Sequence, residues 1–378
     1  MVGGLELLIA LPLVGAIAVM LLPRQSPAAA WLGVAVTTGT LGLSLWPAIS
    51  VVGSGAGFVA QSNEPWIQVL GIRWHLGVDR LSAPLIVLTA LLTWCCLVAL
   101  TRRPPAGGPQ RALVALILVI EGGSIGMFAA LDLILFFIFF ELVLIPMWFV
   151  IAGWGDATDP EGNRRAATRF LVVTFTGSAL VLVGFLLLHA RTGTFDLVAL
   201  HNRSHQIGTA TQLAAAVLFM LGFGAKAPMW PLHFWLPDAH SKAPTVGSVL
   251  LAGVLLKLGT YGMLRFLFDV VPAGAAEIAP YLGALGVVGI LYGALVCLAQ
   301  RDLKRLIAYS SIGHMGFVLL AISTLTPQGR LAANFANVAH GLITGLLFFV
   351  VGAMKDRIGT SDLVALGLAL YARAPHLA

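Results

Sequence analysis

"DLILFFIFFELVLIPMWFV", residues 132–150, contains one ionisable side chain, Glu141, between its opening aspartate and Trp148. The residues from Leu133 to Phe140 are all aliphatic or aromatic. A run this long and apolar crosses a bilayer as a helix. It therefore decides the solvent of the chain, and it raises a question: why a lone carboxylate stands where water is scarcest.

The flanking sequence agrees with a lipid environment. The chain has 378 residues, 59% hydrophobic and 10% charged, whereas a soluble domain carries about 25% charged residues. Apolar runs of helical length recur from end to end, and alternating barrel-strand patterns are absent. The expected fold class is all-α, a polytopic membrane helix bundle. Eleven spans are expected, near 4–22, 31–51, 81–101, 112–130, 131–151, 167–189, 211–236, 245–268, 279–299, 303–323 and 331–353. The first has no basic start and carries Glu6, so it reads as a span and not as a signal peptide. The Gly-rich, then amphipathic connection 52–80 is expected to lie along the membrane surface.

Basic residues outside the spans give the orientation. Thirteen, from Arg24 to Arg357, fall on one face, and six, from Arg73 to Arg330, fall on the face of the N-terminus. The richer face is expected in the cytoplasm, with the N-terminus outside. The three cysteines, Cys95, Cys96 and Cys297, form no C-x-x-C pair. With no metal-ligand spacing and no nucleotide loop, the chain is expected to carry no cofactor and no metal of its own. The net charge of +6 reflects basic loops and not a nucleic-acid partner.

The seventh span, "LGFGAKAPMWPLHFWLPDAH", contains Pro228, Pro231 and Pro237. Each proline removes a backbone donor, and lipid cannot satisfy the carbonyls so freed, so the break must face protein or a wet cavity. Discontinuous helices of this kind mark ion sites in transporters.

Glu141 is not alone at half depth. Glu121, Lys226, Lys257, His314 and His340 each lie near the middle of an apolar span. A charged residue at a helix centre costs roughly 2.5–3.5 kcal/mol, so the six are expected to face the bundle interior, pair, or stay neutral. Burial moves carboxylates and amines toward neutrality, and an opposite charge reverses that. A Glu–Lys contact that can be made and broken is thus a proton switch, and histidines can relay between switches. The shared depth implies a path in the membrane plane. Each residue also has a plain structural reading, as a helix–helix hydrogen bond or a packed neutral imidazole. His233 and His240 read as interfacial, and Asp79, Asp132 and Asp238 as helix caps.

The stretches "DLILFFIFFELVLIPMWFVIAGWG" and "GFGAKAPMWPLHFWLPDAHSKAPTVGSVLLAGVLLKLGTYGMLRF" resemble the antiporter-like subunits of proton-pumping NADH–quinone oxidoreductase (respiratory complex I), in their M-subunit branch. The family also includes the large subunits of Mrp-type sodium/proton antiporters. The resemblance runs the length of the chain. It implies a fourteen-helix fold with two inverted five-helix repeats, each with a broken helix. On that map residues 1–111 precede the repeats, 112–268 form the first, and 269–378 begin the second.

The resemblance also implies roles. Glu141 matches the fifth-helix glutamate and Lys226 the broken-helix lysine that pairs with it. Lys257 matches the bridging lysine, His314 and His340 the polar-axis histidines, and Glu121 the fourth-helix glutamate. The implied activity is outward proton translocation as a subunit of NADH:quinone oxidoreductase. Its partners are neighbouring membrane subunits in a bacterial cytoplasmic membrane, with NADH, FMN, iron–sulfur clusters and quinone held elsewhere. A Mrp-type antiporter subunit and a non-pumping scaffold are the alternatives. The chain stops at "LGLALYARAPHLA", where the family continues to a second broken helix, so a fragment of a longer chain is expected.

Overall fold

The computed structural model describes residues 3–366 except residues 25 and 56; the closing stretch 367–378 lies outside the described residues. Among the described residues eleven apolar helices, ten of them long enough to cross a membrane and a shorter first one, fall at the eleven expected spans, the seventh ending at Lys226 and not continuing to 236. They are α1 (Gly4–Met20), α2 (Ala28–Gly53), α3 (Ala83–Arg102), α4 (Gln110–Ala129) and α5 (Leu133–Trp154). After these come α6 (Pro160–Thr192), α7 (Thr209–Lys226), α8 (Thr245–Asp269), α9 (Pro272–Leu298), α10 (Leu303–Ser323) and α11 (Pro327–Ile358). Side chains set the boundaries. Asp132 accepts from the amides of Ile134 and Leu135, and Asp159, Asp302 and Thr326 cap α6, α10 and α11 in the same way. These bonds satisfy amides that a helix start leaves without partners.

The connection 52–80 departs from expectation. It folds as an antiparallel hairpin, β1 (Val59–Ile67) with β2 (Ile72–Val78), turning at Gly71 in the left-handed region. Leu76 and Val78 are fully buried while most of β1 is exposed, so the hairpin closes one end of the bundle with its second strand. Leu131 N donates to His75 O at 2.8 Å, Arg73 N to Asp132 Oδ2 at 3.1 Å, and His75 Nδ1 lies 2.5 Å from Asp196 Oδ2. Asp79 does more than cap a turn. It holds Arg265 through two 2.8 Å bonds, while Asp238 is no cap and pairs with Arg169 and Arg305.

An inverted internal repeat shows in the backbone. At the hairpin end, Leu133 N bonds Phe195 O and Leu197 N bonds Leu131 O, bridging Asp132 to Asp196. At the opposite end, Leu303 N bonds Ser361 O and Leu363 N bonds Arg301 O, bridging Asp302 to Asp362. The sequence carries the same mark: "RTGTFDLVAL" (191–200) and "RIGTSDLVAL" (357–366) differ at two positions. Both begin at helix ends capped by a left-handed glycine, Gly193 and Gly359.

The break in α7 needs a close support. A Cβ at Gly222 would lie 2.6 Å from Gly177 O, and one at Gly177 would lie 2.7 Å from Gly222 O, so α6 and α7 touch backbone to backbone. Small residues drive this kind of close approach in membranes. Gly177→Leu is expected to destabilise the α6–α7 contact by about 1–3 kcal/mol, read as a loss of the chain from the assembled complex on native gels.

The hairpin clamp has a pH signature. Burial opposes the Asp79 carboxylate, but the Arg265 charge, its hydrogen bonds and those of Ser82 outweigh burial and hold the pKa down to about 2. A depressed carboxylate stabilises the fold above its ordinary value near 3.9, and that contribution is lost as pH falls toward 2. Hydrogen-exchange protection of residues 72–82, corrected for intrinsic rate, is expected to hold above pH 4 and fall below it. Asp79→Asn is expected to remove that pH dependence.

Candidate functional site

Lys226 is the last residue of α7, and it is 1% exposed. Proline chemistry ends the helix there: residues 227–231 are non-helical, followed by a 3-10 turn (Leu232–Trp235) and a short helix (Leu236–Lys242). The carbonyls freed by the break stay inside protein. Trp235 Nε1 donates to Ala225 O at 2.9 Å, and Met229 N to Gly224 O at 2.8 Å. Lys226 also sits at the negative end of the helix dipole. Its Nζ donates to Phe140 O at 2.7 Å and lies 3.4 Å from the centre of the Phe140 ring.

Glu141 follows Phe140 directly. Its carboxylate lies within charge range of Lys226, yet Glu141 and Lys226 make no ion pair within 4.0 Å, and Glu141 Oε1 is buried without a partner. The resemblance implied a pair; the geometry is a near pair with the lysine resting on a backbone carbonyl. Glu141 is half-buried, on a face of α5 that exposes Ile138, Ile145 and Phe149.

Lys257 sits in α8, also 1% exposed. Residues Leu251–Leu255 just before it are wound as a π-helix, a distortion that recurs at functional sites. Lys257 Nζ donates to Ala252 O in that wide turn and lies 2.6 Å from His340 Nδ1 on α11. As Nδ1 accepts, the ring proton belongs on Nε2, which is buried and without a partner. The His314 ring lies edge-on to His340, 5.4 Å between centres. The two lysines do not touch. Gly259 links their elements, since a Cβ there would lie 2.7 Å from Ala227 N.

The structure therefore gathers five of the six candidates into two neighbouring groups, Glu141–Lys226 and Lys257–His340–His314. Glu121 stands apart. It is fully buried on α4, with neither carboxylate oxygen bonded and no charged group acting on it. One functional candidate was misjudged from sequence. His240 is fully buried, stacks on Phe348 at 4.6 Å, has neither ring nitrogen bonded, and lies in charge range of Lys257 and Lys304. Its sequence neighbours suggested an interfacial residue. The signal lay in the break itself, which turns the chain back inward after Trp235.

Residues 130–378 match the family model described as NADH:quinone oxidoreductase/Mrp antiporter, TM. An NAD(P)H-quinone oxidoreductase chain 4 of Nostoc sp. is 39% identical over 94% of this chain and 65% of its own length. Subunit M of the NADH-quinone oxidoreductase of Rickettsia typhi is 34% identical over 96% of this chain and 74% of its own. The chain thus spans about two thirds of the length of these curated relatives. Among solved structures, one chain of respiratory complex I from Thermus thermophilus with bound NADH superposes with TM-score 0.84 and 31% identity, covering 95% of this chain and 73% of that one. A chain of the Mrp complex from Dietzia sp. superposes at 0.82 with 26% identity, covering 94% and 38%.

The break depends on its carbonyl partners. Trp235→Phe keeps the ring and leaves Ala225 O unpaired in a buried place, and is expected to cost about 1–3 kcal/mol. A lowered thermal denaturation midpoint of the purified complex measures it.

Proposed function

This chain belongs to the NADH:quinone oxidoreductase/Mrp antiporter transmembrane family, and on that premise we propose that it is the M-type antiporter-like subunit of a proton-pumping NADH–quinone oxidoreductase. It sits in a bacterial cytoplasmic membrane with its N-terminus outside. It carries protons and performs no redox step; NADH, FMN, iron–sulfur clusters and quinone belong to partner subunits.

One observation carries this reading. Two lysines, Lys226 and Lys257, are buried at mid-span, each held by a backbone carbonyl and each next to a second titratable group. Structural packing does not call for such expensive residues. The exchangeable groups offer a route from the cytoplasmic end past His240 to Lys257, then laterally to His340 and His314. Glu141 and Lys226 bias that route. Glu141's place at an exposed apolar face suits it to sense the charge state of a neighbouring antiporter-like subunit covering that face.

The energy scale is adequate. Moving one charge against about 150 mV requires roughly 3.5 kcal/mol, and a change in Glu–Lys interaction at low dielectric supplies a swing of that order. The likeness to the Dietzia Mrp chain supports a second reading, a cation/proton antiporter subunit. Co-purification with flavin and iron–sulfur subunits distinguishes the two.

In inverted membrane vesicles, Lys226→Ala and Lys257→Ala are expected to reduce NADH-driven proton pumping at least tenfold in complexes that assemble normally on native gels. His240→Gln is expected to lower it several-fold, and Glu121→Gln by less. Undiminished pumping in an assembled Lys226→Ala complex would leave the chain a scaffold.

A further inference from the structure

The lateral relay has a side branch. On α11, Asn334, Asn337 and His340 lie on one face in successive turns, and all are buried. Asn334 Oδ1, Asn337 Nδ2 and His340 Nε2 have no hydrogen-bond partner. Buried polar atoms left open in this way are satisfied by water. The remaining bonds of this face also run toward the hairpin end. Thr260 Oγ1 donates to Asn337 Oδ1 at 2.9 Å, and Asn334 Nδ2 to Leu81 O at 3.2 Å. A wettable file thus leads from Lys257 and His340 toward the face opposite the cytoplasmic one.

A guanidinium stands at the same end, bonded to Asp79 two residues before Leu81. Lys257, Tyr261 and Arg265 follow each other at i, i+4 and i+8 on α8, spanning roughly 12 Å. The Tyr261 hydroxyl donates to Phe128 O at 2.9 Å and accepts from Arg265 Nη2 at 3.0 Å, so it is saturated in both roles. The Arg265 side chain is 3% exposed, while its partners Asp79 and Asp269 are 18% and 13% exposed. The positive end of the cluster therefore faces inward and the carboxylates outward. Arg330 on α11 closes the ring through two bonds to Asp269, at 2.8 and 2.7 Å.

We propose that Arg265, fastened by Asp79, seals the hairpin end of the first repeat against protons that reach Lys257. An arginine has no acceptor and does not deprotonate, so it cannot hand a proton on. The seal forces protons to leave Lys257 sideways. The proposal rests on the pumping reading above, but its test needs no turnover.

The assembled complex is reconstituted in liposomes with an internal pH dye and a potassium diffusion potential, without NADH, and passive proton entry is measured. The double change Arg265→Gln with Asp79→Asn, which leaves no unpaired charge between them, is expected to raise the leak about tenfold. Adding Lys257→Ala is expected to return the leak to baseline. Should the double variant fail to assemble, Asp79→Asn alone removes one of the two acceptor oxygens that hold Arg265, and the loosened guanidinium is expected to leak several-fold. An unchanged leak, or one that persists with Lys257→Ala, overturns the seal. Loss of NADH-driven pumping in the Lys257→Ala variant is a separate readout, so failure of the pumping reading is distinguishable.

Discussion

A buried lysine must be given hydrogen-bond acceptors by a backbone whose carbonyls, in regular helices, already hold an amide each. That constraint organises this bundle. In an α-helix each mid-span carbonyl already accepts from the amide four residues on and has one lone pair left, which side chains on the same helix, such as Thr174 on Phe170 O, readily take. Lys226, at the end of a helix that proline chemistry has stopped, finds its acceptor in Phe140 O, beside the interruption of α5 at Val143 between Leu142 and Leu144. Lys257 finds its own where the backbone widens to a π-helix and presents Ala252 O. Both irregularities would be intolerable against lipid, and both are enclosed here by protein. The two departures from regular helix are therefore the means by which charge is held at mid-membrane.

The inverted repeat explains how such irregularities are positioned from both ends. Each half begins with an aspartate that caps a helix and bridges to a second aspartate after a long helix and a left-handed glycine. The two bridges lie at opposite ends of the bundle because an odd number of passes separates them. The hairpin reinforces only one end, where His75 and Arg73 fasten to Asp196 and Asp132. The described ion pairs of the other end join loops directly, as in Lys242 with Asp159 and Lys355 with Asp156.

Much of this was readable beforehand, for physical reasons. Span number and positions follow from apolar length, since lipid leaves few alternatives to a helix. The break in α7 follows from three prolines, and the burial of Lys226 and Lys257 from the cost of exposing them to lipid. The hairpin was missed because its strands mix polar and apolar residues, as in "VAQSNEPWI", and its pairing depends on contacts with residues 131, 132 and 196, far along the chain. His240 was missed because burial after a break depends on which way the chain turns, which local composition does not encode. The near pair of Glu141 and Lys226 was equally illegible. Sequence gives both residues a helix position but not the side-chain geometry that separates an ion pair from a lysine seated on a carbonyl.

That geometry bears on how the site works. Breaking a closed buried ion pair costs about 3–5 kcal/mol, comparable with the whole energy of moving one charge across the membrane, so a tight Glu141–Lys226 bridge would lock both groups in one state. A lysine resting on Phe140 O is not locked. The neutral amine retains N–H donors, so the same carbonyl holds Lys226 whether or not it carries the extra proton. The contact fixes the position of Nζ, and on the proposed function Glu141 acts on it through charge without touching. Lys257 is arranged alike, with Ala252 O fixing its place and His340 offering the exchangeable partner. Separating the group that positions from the group that titrates allows a buried lysine to change state without moving the helices around it.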